Sequence, residues 1–184
     1  MPKKIAIVLH HTAIRLSKHP KQFDLVNLLH RDRWNFRSSL GLYGGYQYLI
    51  EADGIVGQYR AEEERAAHTS VVGYDYNGNS IGICLAGDLR YDKPSAAQIR
   101  SLTTLLLDIQ RRHGIPSHKV YLHRELKGTA CPVIDLRELI ERQHQSDLKR
   151  RLKLLQSVLP RARGARKRLI LRVIERIKRL FNVI

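Results

Sequence analysis

Residues 45–60 read Gly-Tyr-Gln-Tyr-Leu-Ile-Glu-Ala-Asp-Gly-Ile-Val-Gly-Gln-Tyr-Arg, and this stretch predicts a β-hairpin. Two strand-like runs, 45–50 and 55–60, flank the dipeptide Asp53-Gly54. Asp-Gly favours the tight turn that joins two antiparallel strands, because glycine accepts a positive φ without steric cost. The chain therefore contains a β-sheet, and the segments around the hairpin should belong to the same sheet.

Helical periodicity alternates with further strand-like runs along the first 145 residues. The clearest helix follows Ser95, which is a suitable N-cap with Gln98 three residues later, and Gly114 and Pro116 end it. Its apolar stripe consists of Ile99, Leu102, Leu105, Leu106 and Ile109. Other predicted strands are 4–9, 80–86 and 120–122, and other predicted helices are 23–30 and 133–144. This alternation predicts an α/β fold over residues 1–145, with a single mixed sheet flanked by helices.

Positive charge is concentrated in the last part of the chain. Residues 147–184 contain 13 Lys or Arg and 2 Asp or Glu, a net charge of +11 within the total of +16. We therefore predict a second region, 146–184, that forms a basic amphipathic helical tail divided near Pro160 and Gly164. Its partner should be anionic.

Two apolar stripes run along this tail at helical spacing. The first consists of Leu148, Leu152, Leu155 and Leu159, and the second of Ile170, Val173, Ile174, Ile177, Leu180, Phe181 and Ile184. Apolar faces bordered by Lys and Arg are typical of helices that lie in a membrane interface. We expect residues 165–184 to bind an anionic membrane or lipopolysaccharide. The alternative is that one or both stripes pack on the α/β region, residues 1–145, and leave a solvated basic face.

The two cysteines, Cys84 and Cys131, are too few for a disulfide framework, and Cys84 in an apolar run is expected to be a core thiol. Cys131 instead lies in a polar stretch, eight residues after His123. His123 and His10 each end a predicted strand, where a rigid sheet can present metal ligands to a cleft. Two imidazoles and a thiolate suit zinc and leave one coordination position open, as in catalytic sites. The spacing does not decide between His10 and its neighbour His11.

Five motifs in order give the chain a recognisable family resemblance. They are Val8-Leu-His-His-Thr-Ala13, Gly44-Gly-Tyr-Gln-Tyr-Leu-Ile-Glu-Ala-Asp-Gly54, Ala66-Ala-His-Thr69, Asn79-Ser-Ile-Gly-Ile83 and His123-Arg-Glu-Leu-Lys-Gly-Thr-Ala-Cys-Pro132. The sequence resembles the N-acetylmuramoyl-L-alanine amidases of the type that includes phage lysozyme-like amidases and peptidoglycan recognition proteins. The resemblance covers about residues 5–140.

The resemblance implies roles for individual residues. It selects His10, with His123 and Cys131, as the zinc ligands, and Tyr46 as the tyrosine whose hydroxyl lies near the substrate carbonyl. Thr129 takes a position where some members carry lysine and others threonine, and would bind the developing oxyanion without supplying a positive charge. Residues expected near the substrate are His68, Asn79, Trp34 and Arg60.

The implied reaction is zinc-dependent hydrolysis of the amide bond between N-acetylmuramic acid and L-alanine in peptidoglycan. The sequence does not identify a general base, and Glu125 is better explained as a helix-end residue or a partner of a metal ligand. Alternatives are a peptidoglycan-binding module without catalysis, disfavoured by the presence of Cys131, and a cytoplasmic amidase that recycles muropeptides. A pI of about 10.3 also suggests nucleic-acid binding, but no recognition motif supports it.

The same reasoning gives expectations about where and how the protein works. The apolar run 5–9 is shorter than the core of a signal peptide, and no apolar segment is long enough to span a membrane. We expect a monomer that is made in the cytoplasm without a signal peptide and acts on the cell wall after release or export, as an endolysin does.

Overall fold

A computed structural model describes residues 4–181. Five strands form one sheet, in the order β3-β2-β4-β1-β5. Their bounds are β1 (Ala6–His11), β2 (Tyr48–Ile50), β3 (Val56–Gln58), β4 (Ser80–Leu85) and β5 (Val120–Leu122). β3 is antiparallel to β2, and all other neighbouring pairs are parallel. The sheet is therefore mixed, as the sequence predicts.

Six helices accompany the sheet in the described chain. They are α1 (Phe23–Trp34), α2 (Tyr76–Asn79), α3 (Ala96–His113), α4 (His123–Leu126), α5 (Leu136–Val158) and α6 (Gly164–Phe181). Short 3-10 turns precede β5 at Ser117–Lys119 and follow α5 at Leu159–Arg161. The mixed sheet with flanking helices confirms the predicted fold class. Within residues 4–181, no helix combines the length and the apolar composition that a membrane span requires.

The central strands β1 and β4 are buried along their whole length. Covered on both faces, they carry nearly continuous apolar runs, which is typical of parallel strands inside an α/β fold. The Cα atoms of Ala6 and Ser80 are paired at one end of these strands, and those of His11 and Leu85 at the other. This buried centre of the sheet determines the positions of the residues that follow β1 and β4.

The predicted hairpin forms, with shorter strands than the sequence suggests. Gly54 has a φ of +87° in the turn, and its N–H donates to the carbonyl of Glu51. The Glu51 side chain, which is buried, accepts the backbone N–H groups of Gln22 and Phe23 at 2.8 and 2.7 Å. A carboxylate at this position satisfies free donors at the start of α1 and complements the helix dipole. The hairpin thereby fixes the helix that leads to the candidate site.

α3 begins and ends as predicted. Ser95 and Gln98 form the reciprocal capping box, and Gly114 ends the helix in the left-handed conformation with a φ of +66°. Glu62 connects the last turn of α3 to β2. Its carboxylate accepts hydrogen bonds from Arg112 and His113 of α3 and from the hydroxyl of Tyr48 in β2. Glu62 is almost fully buried, so its charge depends on these donors.

The chain divides into two compact units between Arg137 and Glu138. α5 runs without a break through residues 145 and 146, where the sequence placed the boundary, so that position lies inside a helix.

Within the second unit, Ala162, Ile170 and Ile174 form a buried cluster. The partly buried residues packed against it are Leu152, Leu155, Val158 and Leu159. The apolar stripes of α5 and α6 therefore pack on each other within this unit. Ile184, the last residue of the second stripe, lies outside the described residues.

Candidate metal centre and substrate groove

Three potential metal ligands converge at one edge of the sheet. His10 lies near the end of β1 and His123 directly follows β5, its parallel neighbour, in which Leu122 pairs with Leu9. Cys131 lies in the loop that follows α4. Parallel strands that end at the same edge bring the residues that follow them together, although these two are separated by more than 100 positions in sequence.

The ligand atoms of His10, His123 and Cys131 all lie within 4.8 Å of one another. The Nδ1 atom of His10 is 3.9 Å from the Sγ atom of Cys131, and the rings of His10 and His123 have centroids 4.5 Å apart. Nitrogen and sulfur ligands of a tetrahedral zinc ion are separated by about 3.5 Å, from bond lengths of about 2.0 and 2.3 Å. The distance between His10 and Cys131 is therefore close to the spacing that zinc requires, and His123 lies in the same cluster.

The hydrogen bonding of the cluster also fits a metal ion. The Nε2 atom of His123 is buried and has no hydrogen-bond partner among the described residues. A buried polar atom without a partner is costly, and a metal ion at this position would relieve that cost. The donor set of two imidazoles and one thiolate is one that zinc prefers.

His11 points away from the cluster. Its Nδ1 atom accepts the backbone N–H of Leu89 at 3.0 Å, while its own backbone N–H donates to the Sγ atom of Cys131 at 3.4 Å. Adjacent side chains in a strand face opposite sides, which explains the difference between His10 and His11. His11 thus contacts the thiol of Cys131 through its backbone, and its ring packs on the loop that follows β4.

Burial keeps the imidazoles of the site neutral. It lowers the pKa of His10 well below the usual value, with contributions from His68 and His123, and it lowers the pKa of His68 to about 3. Burial and the nearby charge of Lys127 lower the pKa of His123 to about 4. Neutral imidazole is the form that binds metal. Burial raises the pKa of the Cys131 thiol to about 11, the direction that an adjacent cation would reverse.

Tyr46 lies beside the cluster, with its ring centroid 5.1 Å from that of His10 and 5.6 Å from that of His30. Burial, together with the thiols of Cys84 and Cys131, raises the pKa of Tyr46 well above its usual value. The phenol therefore keeps its proton near neutral pH and can donate a hydrogen bond. Cys84 is fully buried, as expected of a core thiol.

A cavity of about 490 Å³, which forms the candidate substrate groove, opens next to the cluster. It is lined by Arg33, Trp34, Tyr46, Ala67, His68, Thr69, Ser70, Asn77, His123 and Lys127. None of these lining residues is acidic, whereas Arg33 and Lys127 are positively charged. The sequence motifs did not predict these two cations at the site. Their position next to Trp34 and within the His123–Cys131 motif was the available signal, but a lone surface charge does not reveal where it points.

The residues expected near the substrate have different positions in the structure. Trp34 lines the cavity with its side chain partly exposed, and His68 lines it while its Nδ1 atom lies 3.0 Å from Nε2 of His10. Asn79 is not among the lining residues, and Asn77 occupies that place. The Asn77 side chain also accepts the backbone N–H groups of His68 and Thr69, both at 2.9 Å. The asparagine next to the groove is therefore two residues earlier than expected.

Arg60 differs from its expected role. Only 1% of its surface is exposed, and its guanidinium donates to the backbone carbonyls of Gly44 and Phe36. The Cζ atom of the same group lies 4.2 Å from the centroid of the Phe36 ring, within the range of a cation–π contact. A guanidinium with its donors used inside the fold is not available to a substrate, so this burial argues against the expected contact.

Thr129 supports the cysteine loop. Its hydroxyl oxygen accepts the backbone N–H of Cys131 at 3.3 Å, and Thr129 is not among the described residues that line the cavity. Glu125 has a similar local function, because its carboxylate accepts the backbone N–H of Leu122 at 2.8 Å and pairs with Arg137. Both side chains stabilise the segment that carries His123 and Cys131 through hydrogen bonds to its backbone.

Comparison with known proteins identifies relatives in both sequence and structure. A family model described as N-acetylmuramoyl-L-alanine amidase matches residues 3–133. A peptidoglycan-recognition protein of Drosophila melanogaster is 32% identical over 134 residues, which cover 71% of this chain and 69% of that protein. The endolysin of Escherichia phage T7 is 32% identical over 103 residues, which cover 53% of this chain and 64% of the endolysin.

Two solved structures share the fold at lower sequence identity. The N-acetylmuramoyl-L-alanine amidase LysC from Clostridium intestinale URNW has a TM-score of 0.61 and 21% identity, covering 78% of this chain and 87% of that one. The endolysin of the Thermus scotoductus bacteriophage Ph2119 has a TM-score of 0.61 and 23% identity, with 78% and 86% covered. With the family model matching most of the first unit, the protein belongs to the N-acetylmuramoyl-L-alanine amidase family, which it shares with phage endolysins and peptidoglycan-recognition proteins.

Proposed function

We propose that this protein is a zinc-dependent amidase that hydrolyses the bond between the lactyl group of N-acetylmuramic acid and L-alanine in peptidoglycan. The observation that carries the proposal is the cluster of His10, His123 and Cys131 beside an open cavity, with Tyr46 next to it. Relatives named as amidase and endolysin support it. The presence of Cys131 as a third potential metal ligand favours catalysis over peptidoglycan binding alone.

His10, His123 and Cys131 would hold the metal. Zinc bound by these residues would supply Lewis acidity toward the scissile carbonyl and would lower the pKa of water into the neutral range. Tyr46 donates its O–H to the carbonyl oxygen as negative charge develops there, and its raised pKa keeps this proton in place. Because the imidazoles of His10 and His123 are neutral, the site can take up the metal without losing protons from these rings.

The lining of the cavity supports a mode of substrate binding. Arg33 and Lys127 are positively charged and no acidic side chain of the described chain accompanies them there, which favours the carboxylates of a stem peptide. The indole of Trp34 provides an apolar surface for a sugar ring or an alkyl side chain. Asn77 and His68 form another part of the lining, where backbone positions are fixed by hydrogen bonds.

The decisive experiment is mass spectrometry of purified sacculi after incubation with the full-length protein. The expected products are glycan strands with free lactyl carboxyl groups and peptides with a free L-alanine amino group. Products cleaved elsewhere would refute the assigned bond. Sacculi that bind the protein and stay intact would identify a binding module, and cleavage of soluble muropeptides alone would identify a recycling amidase.

For the C-terminal region, we propose that residues 165–184 bring the enzyme to an anionic membrane or lipopolysaccharide surface. The basic side chains Arg166, Lys167, Arg168, Arg172, Arg176, Lys178 and Arg179 are exposed on α6. Its isoleucines at 170 and 174 are buried within the second unit, so the exposed basic face is the part available for contact. Each basic residue near an anionic surface contributes about 1 kcal/mol, screened by salt. An enzyme that meets the wall after release would gain local concentration from this contact.

Vesicle sedimentation tests the tail directly. The double variant Arg172→Gln, Arg176→Gln should bind anionic vesicles several-fold more weakly than the full-length parent at low salt, and should cleave isolated sacculi at the parent rate. The matched control removes two exposed charges from α3, Arg100→Gln and Arg111→Gln, and should bind as the parent does. Equal weakening by both pairs, or by neither, would contradict a specific role for α6.

A further inference from the structure

We propose that His68 is a positioning residue that fixes the tautomer of His10 through a buried chain of hydrogen bonds running from Tyr76 by way of Ser80. This inference rests on the proposed function, because it assigns to His68 a role toward the metal held by His10. The sequence places His68 only near the substrate, and its second role follows from contacts between segments that are far apart in the chain.

The chain of contacts is continuous. The hydroxyl of Ser80 donates to the backbone carbonyl of Tyr76 at 2.6 Å, and its oxygen lies 3.4 Å from Nε2 of His68. On the other side of the same ring, Nδ1 of His68 lies 3.0 Å from Nε2 of His10. The three side chains of Ser80, His68 and His10 are all buried, so bulk water does not compete for these bonds.

The direction of each hydrogen bond follows from counting protons. A carbonyl oxygen can only accept, so the single hydroxyl proton of Ser80 is used by Tyr76. The oxygen of Ser80 is then left as an acceptor toward His68, and Nε2 of His68 must carry the proton. A neutral imidazole has one N–H, so Nδ1 of His68 is an acceptor, and Nε2 of His10 must donate to it.

The consequence reaches the metal centre. With its proton on Nε2, His10 has a free lone pair on Nδ1, the atom that lies 3.9 Å from the thiol of Cys131. The tautomer and the ring orientation that suit metal binding are therefore set before any metal arrives.

The fold makes a dedicated place for the His68 ring. The Asn77 side chain accepts the backbone N–H of His68 at 2.9 Å and so fixes the start of the side chain. A Cβ atom at Gly82 on β4 would come within 2.6 Å of Cδ2 of His68, closer than real Cβ contacts occur. Glycine at this strand position leaves the space that the ring occupies between β4 and His10.

Groups that orient a metal-ligating histidine typically contribute 10-fold to 100-fold to metal affinity. We expect His68→Leu, which has no acceptor, to weaken zinc binding by the full-length protein by about that factor in a chelator competition. His68→Asn places an amide oxygen near the position of Nδ1 and should restore affinity to within about threefold of the parent. The control His113→Leu removes a histidine that pairs with Glu62 away from the cluster, and should leave zinc affinity unchanged.

A second measurement does not depend on any variant. Long-range ¹H–¹⁵N spectra of the zinc-loaded full-length protein should show protonated Nε2 and unprotonated Nδ1 for His68, and protonated Nε2 for His10. A proton on Nδ1 of His68, or equal zinc affinity of His68→Leu and the parent, would overturn the inference. If the parent itself binds no zinc, or if His10→Ala keeps full affinity, the proposed function fails instead, so the two failures are distinguishable.

Discussion

Replacement of Tyr46 by phenylalanine removes one hydroxyl group from a residue that lines the groove, and it tests the proposed chemistry most directly. The aromatic ring should stay in place because it packs against the rings of His10 and His30, at centroid distances of 5.1 and 5.6 Å. The raised pKa of Tyr46 means that the parent carries a protonated hydroxyl across the neutral range. The substitution therefore removes a hydrogen-bond donor and no charge.

The size of the effect follows from the position of this donor. A preorganised donor that acts on charge developing in the transition state is worth about 2.7–4 kcal/mol, which corresponds to a decrease in kcat of about 100-fold to 1000-fold. KM should change little, because the uncharged carbonyl of the bound substrate benefits less from the donor. The assay is initial-rate kinetics on a soluble muropeptide, with zinc content measured on the same samples.

Tyr48→Phe is the matched control, since it makes the same chemical change two residues away. The Tyr48 hydroxyl donates to Glu62 at 2.7 Å, outside the groove, so its removal should lower stability by about 1 kcal/mol and leave kcat within about twofold. If Tyr46→Phe keeps its zinc and its kcat, the role given to the hydroxyl is wrong. An unchanged kcat with a raised KM would reassign Tyr46 to substrate binding.

Further predictions follow from the ligand cluster, the groove and the buried carboxylate. Cys131→Ala should lose zinc and turnover while His11→Ala, whose ring faces away from the cluster, keeps its metal; a folded Cys131→Ala protein with full activity would refute the ligand assignment. Lys127→Met should weaken the binding of substrates with free carboxylates by about 1 kcal/mol, which raises KM about fivefold. The control Lys93→Met, outside the groove, should leave KM unchanged. Burial alone would raise the pKa of Glu62, but its hydrogen-bond donors lower it to about 2, below the ordinary 4.5. Its stabilisation is therefore present above pH 4.5 and lost as the pH falls toward 2, so urea unfolding of Glu62→Gln should depend less on pH in this window than unfolding of the parent.

The sequence by itself determined the local elements and the chemistry that the site can use. Asp53-Gly54 predicted the hairpin, and Ser95 with Gln98 predicted the start of α3, because turns and caps depend on residues within a few positions of one another. Histidine and cysteine residues near strand ends indicated zinc, and the motif resemblance selected His10 over His11 and indicated the family that the comparisons confirm. The roles of these residues at the site stay predictions.

Only the tertiary structure decided which side chains meet. The parallel pairing of β1 with β5 brings His10 to His123, and the packing of β4 places His68 behind His10, contacts that span tens of positions in sequence. The same long-range packing buries Arg60 and opens the groove to Asn77 and Lys127. It also pairs the apolar stripes of the basic tail with each other within the second unit. Periodicity shows that a helix face must be covered, but the element that covers it depends on the burial of the whole fold, which no local pattern encodes.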